Sequence, residues 1–191
     1  MSVTITDSAG VQSKAPLVWV SPGQINLAVP DGMATGAATF AITGNVGGQN
    51  FAASIQATAP ALFSMNGTGT GVAAATAIRV QASNPQMQSP VTVFQCGASG
   101  CESVAIALGV DTPVYVTLYG TGIRNRSSVA AVSVSIGGVS VPVSYAGPTP
   151  GFAGLDQVNV SLPLSLRGTG ESNVVVTVDG QASNAVTIHI Q

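Results

Sequence analysis

The sequence predicts an all-β protein, built as tandem Ig-like β-sandwich domains with almost no helix. Three observations carry this expectation. Apolar residues alternate with Ser, Thr, Asn and Gln in run after run; Gly, Pro, Asn or Asp punctuates almost every run; and "SPGQINLAVP" at 21–30 returns as "GLDQVNVSLP" at 154–163. Alternation of period two sets successive side chains on opposite faces of a strand. Short strands at this spacing, separated by turn residues, belong to sandwiches or barrels.

In chain order the strand-like runs are "VTITDS", "PLVWVS", "QINLAVP", "AATFAITG", "NFAASIQA", "AIRVQA", "VTVFQC", "SVAIALG", "VYVTLYG", "VAAVSVSIGG", "VSVPVSYAG", "QVNVSLP", "NVVVTVDG" and "AVTIHIQ". The Ala-rich "GVAAATA" at 71–77 is the one stretch that reads as a helical turn, and it is short and uncapped. "VTVFQC" and "SVAIALG" meet at a Gly-rich turn bracketed by Cys96 and Cys101, as a hairpin would. Such a turn brings two Cβ atoms within disulfide range. The expected bond closes a short loop, which removes about 2 kcal/mol of unfolded-state entropy, and it points to an oxidising, extracytoplasmic compartment. The alternatives are two reduced thiols or a zinc site, the latter short of ligands with only His189 to add.

Composition excludes several classes. Charged residues make up 6% of the 191 residues and the formal charge is −2, against roughly 25% charged in an average domain. No basic stripe exists for phosphate backbones or anionic lipid, so neither nucleic acid nor a membrane surface is an expected partner. No apolar run is long enough to span a bilayer, so no membrane insertion is expected. "MSVTITDSAG" opens directly on a strand-like alternation without signal-peptide features, so the chain reads as a mature or excised region or as a cytoplasmic protein, and the cysteines favour the former.

The repeated phrase sets the domain organisation. Laying Gln24 on Gln157 at a constant offset also superposes Trp19 on Phe152, Asn26 on Asn159 and Pro30 on Pro163. Farther on, "VGGQ" at 46–49 faces "VDGQ" at 178–181. Ile25, Leu27 and Val29, with Val158, Val160 and Leu162 in the copy, fall on one face and are core candidates. The amides share the opposite face, where they either clamp backbone groups of a neighbouring turn or lie in solvent; Pro30 and Pro163 end the ladder. Trp19 and Phe152 read as a repeated packing position. The expected domains are 1–60, a connecting β segment at 61–110 with the Cys96/Cys101 hairpin, and 111–191. "VSVSI" at 132–136 aligns with "VTITD" at 3–7, which leaves the first domain without a counterpart of "VYVTLYGTGI". Three sources could fill that place: the middle segment ("AIRVQA" or "VTVFQC"), a neighbouring subunit, or preceding sequence.

"APLVWVSPGQINLAVP", "ATAPALFSMNGTGTGVAAA", "VYVTLYGTGIRNRSS", "VSIGGVSVPVSYAG" and "GFAGLDQVNVSLP", in that order, resemble the uncharacterized C-terminal domain found repeatedly in secreted proteins of Solibacter and other acidobacteria. "VTLYGTGI" also resembles the opening strand of IPT/TIG domains, an Ig-like family of cell-surface and matrix proteins. The resemblance implies a secreted bacterial β-sandwich module carried behind other extracellular domains. It brings no catalytic residues and no cofactor.

The residues themselves point the same way. His189 lies in the terminal alternating run without a nucleophile motif. The acids Asp7, Asp31, Glu102, Asp111, Asp156, Glu171 and Asp179 are scattered singly, three of them beside Gly or Pro, as turn residues are, rather than paired for glycoside hydrolysis. No calcium-loop run occurs, so no metal and no cofactor are expected. Aromatic residues are 5% of the chain, with Trp19 alone of its kind and three tyrosines, Tyr115, Tyr119 and Tyr145. The sequons at Asn66, Asn125 and Asn159 are frequent by chance in a Ser/Thr-rich chain. The expected function is a non-enzymatic, extracellular structural or adhesive protein that self-associates into a filament or surface layer by strand exchange, or meets other cell-surface proteins. The alternative is a ligand- or carbohydrate-binding accessory module of a larger secreted protein.

Overall fold

The structure is a computed structural model, and it describes residues 1–44 and 47–191. The chain is 57% strand and 3% helix, the latter only 3₁₀ turns. It divides into two compact units. The first comprises Met1–Ala57 with Gly151–Gly154, the second Thr58–Pro150 with Leu155–Gln191. The stretch 61–110, read from the sequence as a connecting segment, falls in the second unit.

The first unit contains β1 (Ser2–Thr6), β2 (Gln12–Lys14), β3 (Leu17–Ser21), β4 (Gln24–Leu27), β5 (Gly36–Gly44) and β6 (Gly47–Ile55). One antiparallel sheet has the order β2-β1-β5-β6, and β3 and β4 form a separate ribbon. Val3 and Ile5 sit opposite Ile42 and Phe40, and with Ala15 and Ala38 they make a small core against which Leu17, Ile25 and Leu27 pack. The other face carries Thr4, Thr6, Thr39 and Thr43, polar where water meets it. Ile25 and Leu27 thus face inward as the alternation predicts. Val29 does not: it is 46% exposed, because β4 ends at Leu27, and period two has no force beyond the ladder.

The second unit contains β7 (Ala61–Leu62), β8 (Ala75–Gln81), β9 (Asn84–Val91), β10 (Phe94–Gly97), β11 (Gly100–Ser103), β12 (Val114–Thr121), β13 (Val132–Ile136), β14 (Val139–Val141), β15 (Val143–Pro148), β16 (Asp156–Ser161), β17 (Gly170–Val178), β18 (Gln181–Ala182) and β19 (Val186–Ile190). One sheet runs β15-β16-β12-β8-β9 with β7 also on β12; another runs β14-β13-β17-β18 with β19 also on β17; β10 and β11 form a hairpin. Val116 and Leu118 of β12 and Val158 and Val160 of β16 share one buried cluster with Val134, Ile136, Val176 and Ile188 of the other sheet. This is the two-layer burial of a β-sandwich.

Several runs are divided where the sequence reads them as single strands. "VSVPVSYAG" breaks at Pro142 into β14 and β15, since proline has no N–H for the ladder. "VTVFQC" is split between the end of β9 and the start of β10. In "SVAIALG" Ser103 ends β11 opposite Phe94, and beyond it only Ile106 bridges, in parallel with Ile190. "GVAAATA" is not helical: Val72 bridges Thr187 and β8 begins at Ala75. "NPQMQS", polar enough to read as a loop, opens the exposed edge strand β9.

Part of the strand order recurs between the units. The order β2-β1-β5-β6 is matched by β14-β13-β17-β18, and the ribbon β3–β4 by β15–β16. Even the register irregularity recurs, between Leu17 and Trp19 in one ribbon and between Val143 and Tyr145 in the other. The difference lies at the edges. β16 pairs β12 on its second side, whereas β4 pairs only β3 among the described residues. "AIRVQA", one candidate to fill that place, lies in β8 and pairs β12 and β9 of the second unit; "VTVFQC" lies there too.

Candidate functional site

The repeated amides meet each other rather than a neighbouring turn. Residues i and i+2 of a strand share a face, so Gln24 Nε2 reaches Asn26 Oδ1 at 2.7 Å on β4, and Gln157 Nε2 reaches Asn159 Oδ1 at 3.1 Å on β16. Both pairs point away from the apolar face formed by Ile25 and Leu27 or by Val158 and Val160. The first pair is exposed and the second partly buried. Pro30 and Pro163 both lie beyond the ends of their strands.

The aromatic partners differ from the expectation. Trp19 and Phe152 are 51% and 64% exposed, so neither is a core packing position. Nor do they correspond. Trp19 sits opposite Asn26 in the first ribbon, and the residue opposite Asn159 in the second is Tyr145. A tight turn at Pro22 and Gly23 joins β3 to β4, while the longer loop 149–155 joins β15 to β16. A constant sequence offset therefore holds on one strand of the ribbon and fails on the other, placing Phe152 in the inserted loop. Tyr119 lies across from Gln157 on the neighbouring strand, and its hydroxyl is 3.1 Å from that of Thr76. Each unit thus presents an outward sheet face on which an aromatic ring stands beside an amide pair. The shared register irregularity is a signal the sequence holds only weakly, as the aromatic that ends "LVW" and "VSY".

Buried polar groups hold the rest in place. Asp156, fully buried, accepts from the Ile123 N–H at 2.8 Å, the Arg124 N–H at 3.1 Å and Arg124 Nε at 2.7 Å. It fastens the end of β12 and the turn after it to the start of β16. In the first unit the aligned position is Gly23. Asp7 closes a turn, accepting from Ala9 and Val11 through Oδ1 and from Ala34 at 2.8 Å through Oδ2. The bond from Ala34 chiefly lowers its pKa below the usual carboxylate value, with Val11 and Ala9 adding to it and burial opposing. Asn184, which the sequence does not single out, both donates to and accepts from the backbone of Leu62. Cys96 and Cys101 are directly opposite in the β10–β11 hairpin and form a disulfide. Asn66, one of the sequon residues, accepts from the Cys101 N–H at 3.0 Å.

Edges differ between the units. In the second, β19 is flanked by the parallel bridges Val72–Thr187 and Ile106–Ile190, and Val186, Ile188 and Ile190 are fully buried. In the first, β6 pairs only β5 among the described residues and is exposed along its length except at Ile55, and Phe51, on the same face as Phe40, is 51% exposed. β6 carries neither proline nor charge, the usual guards of an edge strand.

One linked set of polar side chains invites a catalytic reading. Ser103 Oγ donates to Glu171 Oε1 at 2.7 Å, and Glu171 Oε2 lies 3.6 Å from His189 Nδ1. The carboxylate stands between hydroxyl and imidazole, which reverses the nucleophile, base and orienter sequence that would activate the serine. No group of three or more His, Cys, Asp or Glu side chains able to hold a metal occurs among the described residues. No described helix is long and apolar enough to cross a membrane, which says nothing of a β-barrel. Comparison with protein-family models, with curated proteins and with solved structures returned no match to this chain.

Proposed function

We propose that the chain is a non-enzymatic, extracellular structural or adhesive β-sandwich protein whose first unit adds a β-strand from another copy. The observation that carries this is the contrast between β16, paired by both β15 and β12, and β4, paired among the described residues by β3 alone. Strand addition combines backbone pairing with burial of alternate side chains. The template for the incoming strand is β12 itself, in which Val114, Val116 and Leu118 point inward. The disulfide supports an extracellular setting, and the low charge leaves little self-repulsion against packing. We take the sequence's resemblance to the acidobacterial secreted domain and to IPT/TIG sandwiches as part of the same proposal.

The test is mass by light scattering over a concentration series, with electron microscopy of the concentrated sample. Ordered oligomers or fibres are expected. They should be suppressed by a peptide with the sequence of residues 114–123. A monomer at every concentration, or assembly indifferent to that peptide, overturns the proposal.

The accessory-module alternative is favoured by a separate observation, the exposed Trp19 beside its amide pair.

A further inference from the structure

We propose that the outward face of the β3–β4 ribbon, with Trp19 beside the Gln24–Asn26 pair, is a binding site for a neutral polysaccharide. An indole is the largest apolar side chain and is ordinarily packed. Here it is half exposed on the outside of a ribbon whose inner residues, Leu17, Ile25 and Leu27, already pack on the core. A flat aromatic ring with a negative π face suits the C–H face of a pyranose. Hydroxyl groups, each donor and acceptor, then need amides of both kinds within reach. The Gln24–Asn26 bond uses one Gln24 proton and the Asn26 oxygen, which leaves Gln24 Oε1 as acceptor and the Asn26 amide protons as donors, all oriented by the pair.

Charge selects the ligand class. β3 and β4 contain no ionisable residue, so the face offers no countercharge to a carboxylate or sulfate and matches an uncharged chain. The arrangement also occurs twice, since Tyr145 stands opposite Asn159 with Gln157 beside it. Each unit then offers a polymer one such face.

Trp19 is the chain's one tryptophan, so its emission reports this site and no other. The purified protein is titrated with cellohexaose, xylohexaose and mannohexaose, with polygalacturonate as the anionic comparison, and its mobility is followed in gels containing the matching polymers. A saturable emission change with a neutral probe is expected, unaltered by salt. Asn26→Ala should weaken binding about tenfold, and Trp19→Phe should abolish most of the gel retardation, with far-UV circular dichroism unchanged. Tyr145→Ala should leave the Trp19 signal intact and reduce retention on the polymer. The proposal is overturned if no neutral probe acts up to about 10 mM, if Asn26→Ala and Trp19→Phe bind as the parent does, or if only polygalacturonate binds and salt removes it. Emission and variant dependence read the ribbon's face itself, so their failure is separable from a failure of strand addition, which is read by mass.

Discussion

Gln157 donates to Asn159 along β16 at 3.1 Å, and Gln24 does the same to Asn26 along β4 at 2.7 Å. The phrase Gln-x-Asn is therefore a local unit whose two amides orient each other within their own strand, and it stands on an outer face. Asn159→Ala removes a bond between two partly exposed side chains and should cost no more than about 1 kcal/mol in chemical denaturation. A loss several times larger would mean that the amides support the core after all.

The inner face should behave differently in the two units. Leu118 is 1% exposed in the sandwich core, so Leu118→Ala is expected to cost about 2–5 kcal/mol. Leu27 is only partly buried, against a core of four buried residues, and Leu27→Ala should cost clearly less. Equal penalties would show that the first unit packs as tightly as the second.

How far the sequence speaks can be judged from such residues. Strand content and the inward set Ile25, Leu27, Val158, Val160 and Leu162 are legible because period two is enforced wherever a strand is paired and one face is dry. Val29 misleads because alternation continues in the text after the ladder has ended. Trp19 is matched to Phe152 because a loop of different length breaks the offset between two strands of the same ribbon. Cys96 and Cys101 are legible because a tight hairpin fixes their distance. Asn184 and Asp156 are not, since what they hold, Leu62 and the turn at Ile123, is distant in sequence and assembled only by folding.

The pH dependence of the first unit should follow Asp7. Its folded pKa lies below the unfolded value of about 3.9. Its contribution is then fully present above that value and is lost as the pH falls through the folded pKa. Unfolding followed by Trp19 emission should show Asp7→Asn less stable than the parent at neutral pH, with the gap closing below about pH 3.9. A gap that persists unchanged in acid would remove the carboxylate from the explanation.

Reduction tests the hairpin. The Cys96–Cys101 bond spans a sequence separation of 5, and so short a loop confines the unfolded chain little, by about 2 kcal/mol. A reduced protein should melt at lower temperature with its circular dichroism intact. Loss of the whole fold would show that the hairpin organises the sheets around it.

The last prediction concerns Asp156, which marks what the first unit lacks. Its carboxylate is completely buried, yet it gathers two backbone donors and the Arg124 guanidinium, whose side chain is 30% exposed. A buried carboxylate so satisfied adds little over an apolar substitute, but removing it leaves three donors stranded, and such losses run to about 3–5 kcal/mol. Asp156→Ala should therefore destabilise the second unit by that order. Arg124→Ala should cost less, because the two N–H bonds remain. In the first unit Gly23 occupies the aligned place, and among the described residues no strand like β12 pairs β4 there for an acid to fasten. Gly23→Asp alone should thus add no stability, whereas with a bound peptide of residues 114–124 it should strengthen peptide retention if that peptide settles on β4 as β12 settles on β16. Retention unchanged by Gly23→Asp would mean that the peptide, if it binds, does not take the place of the missing strand.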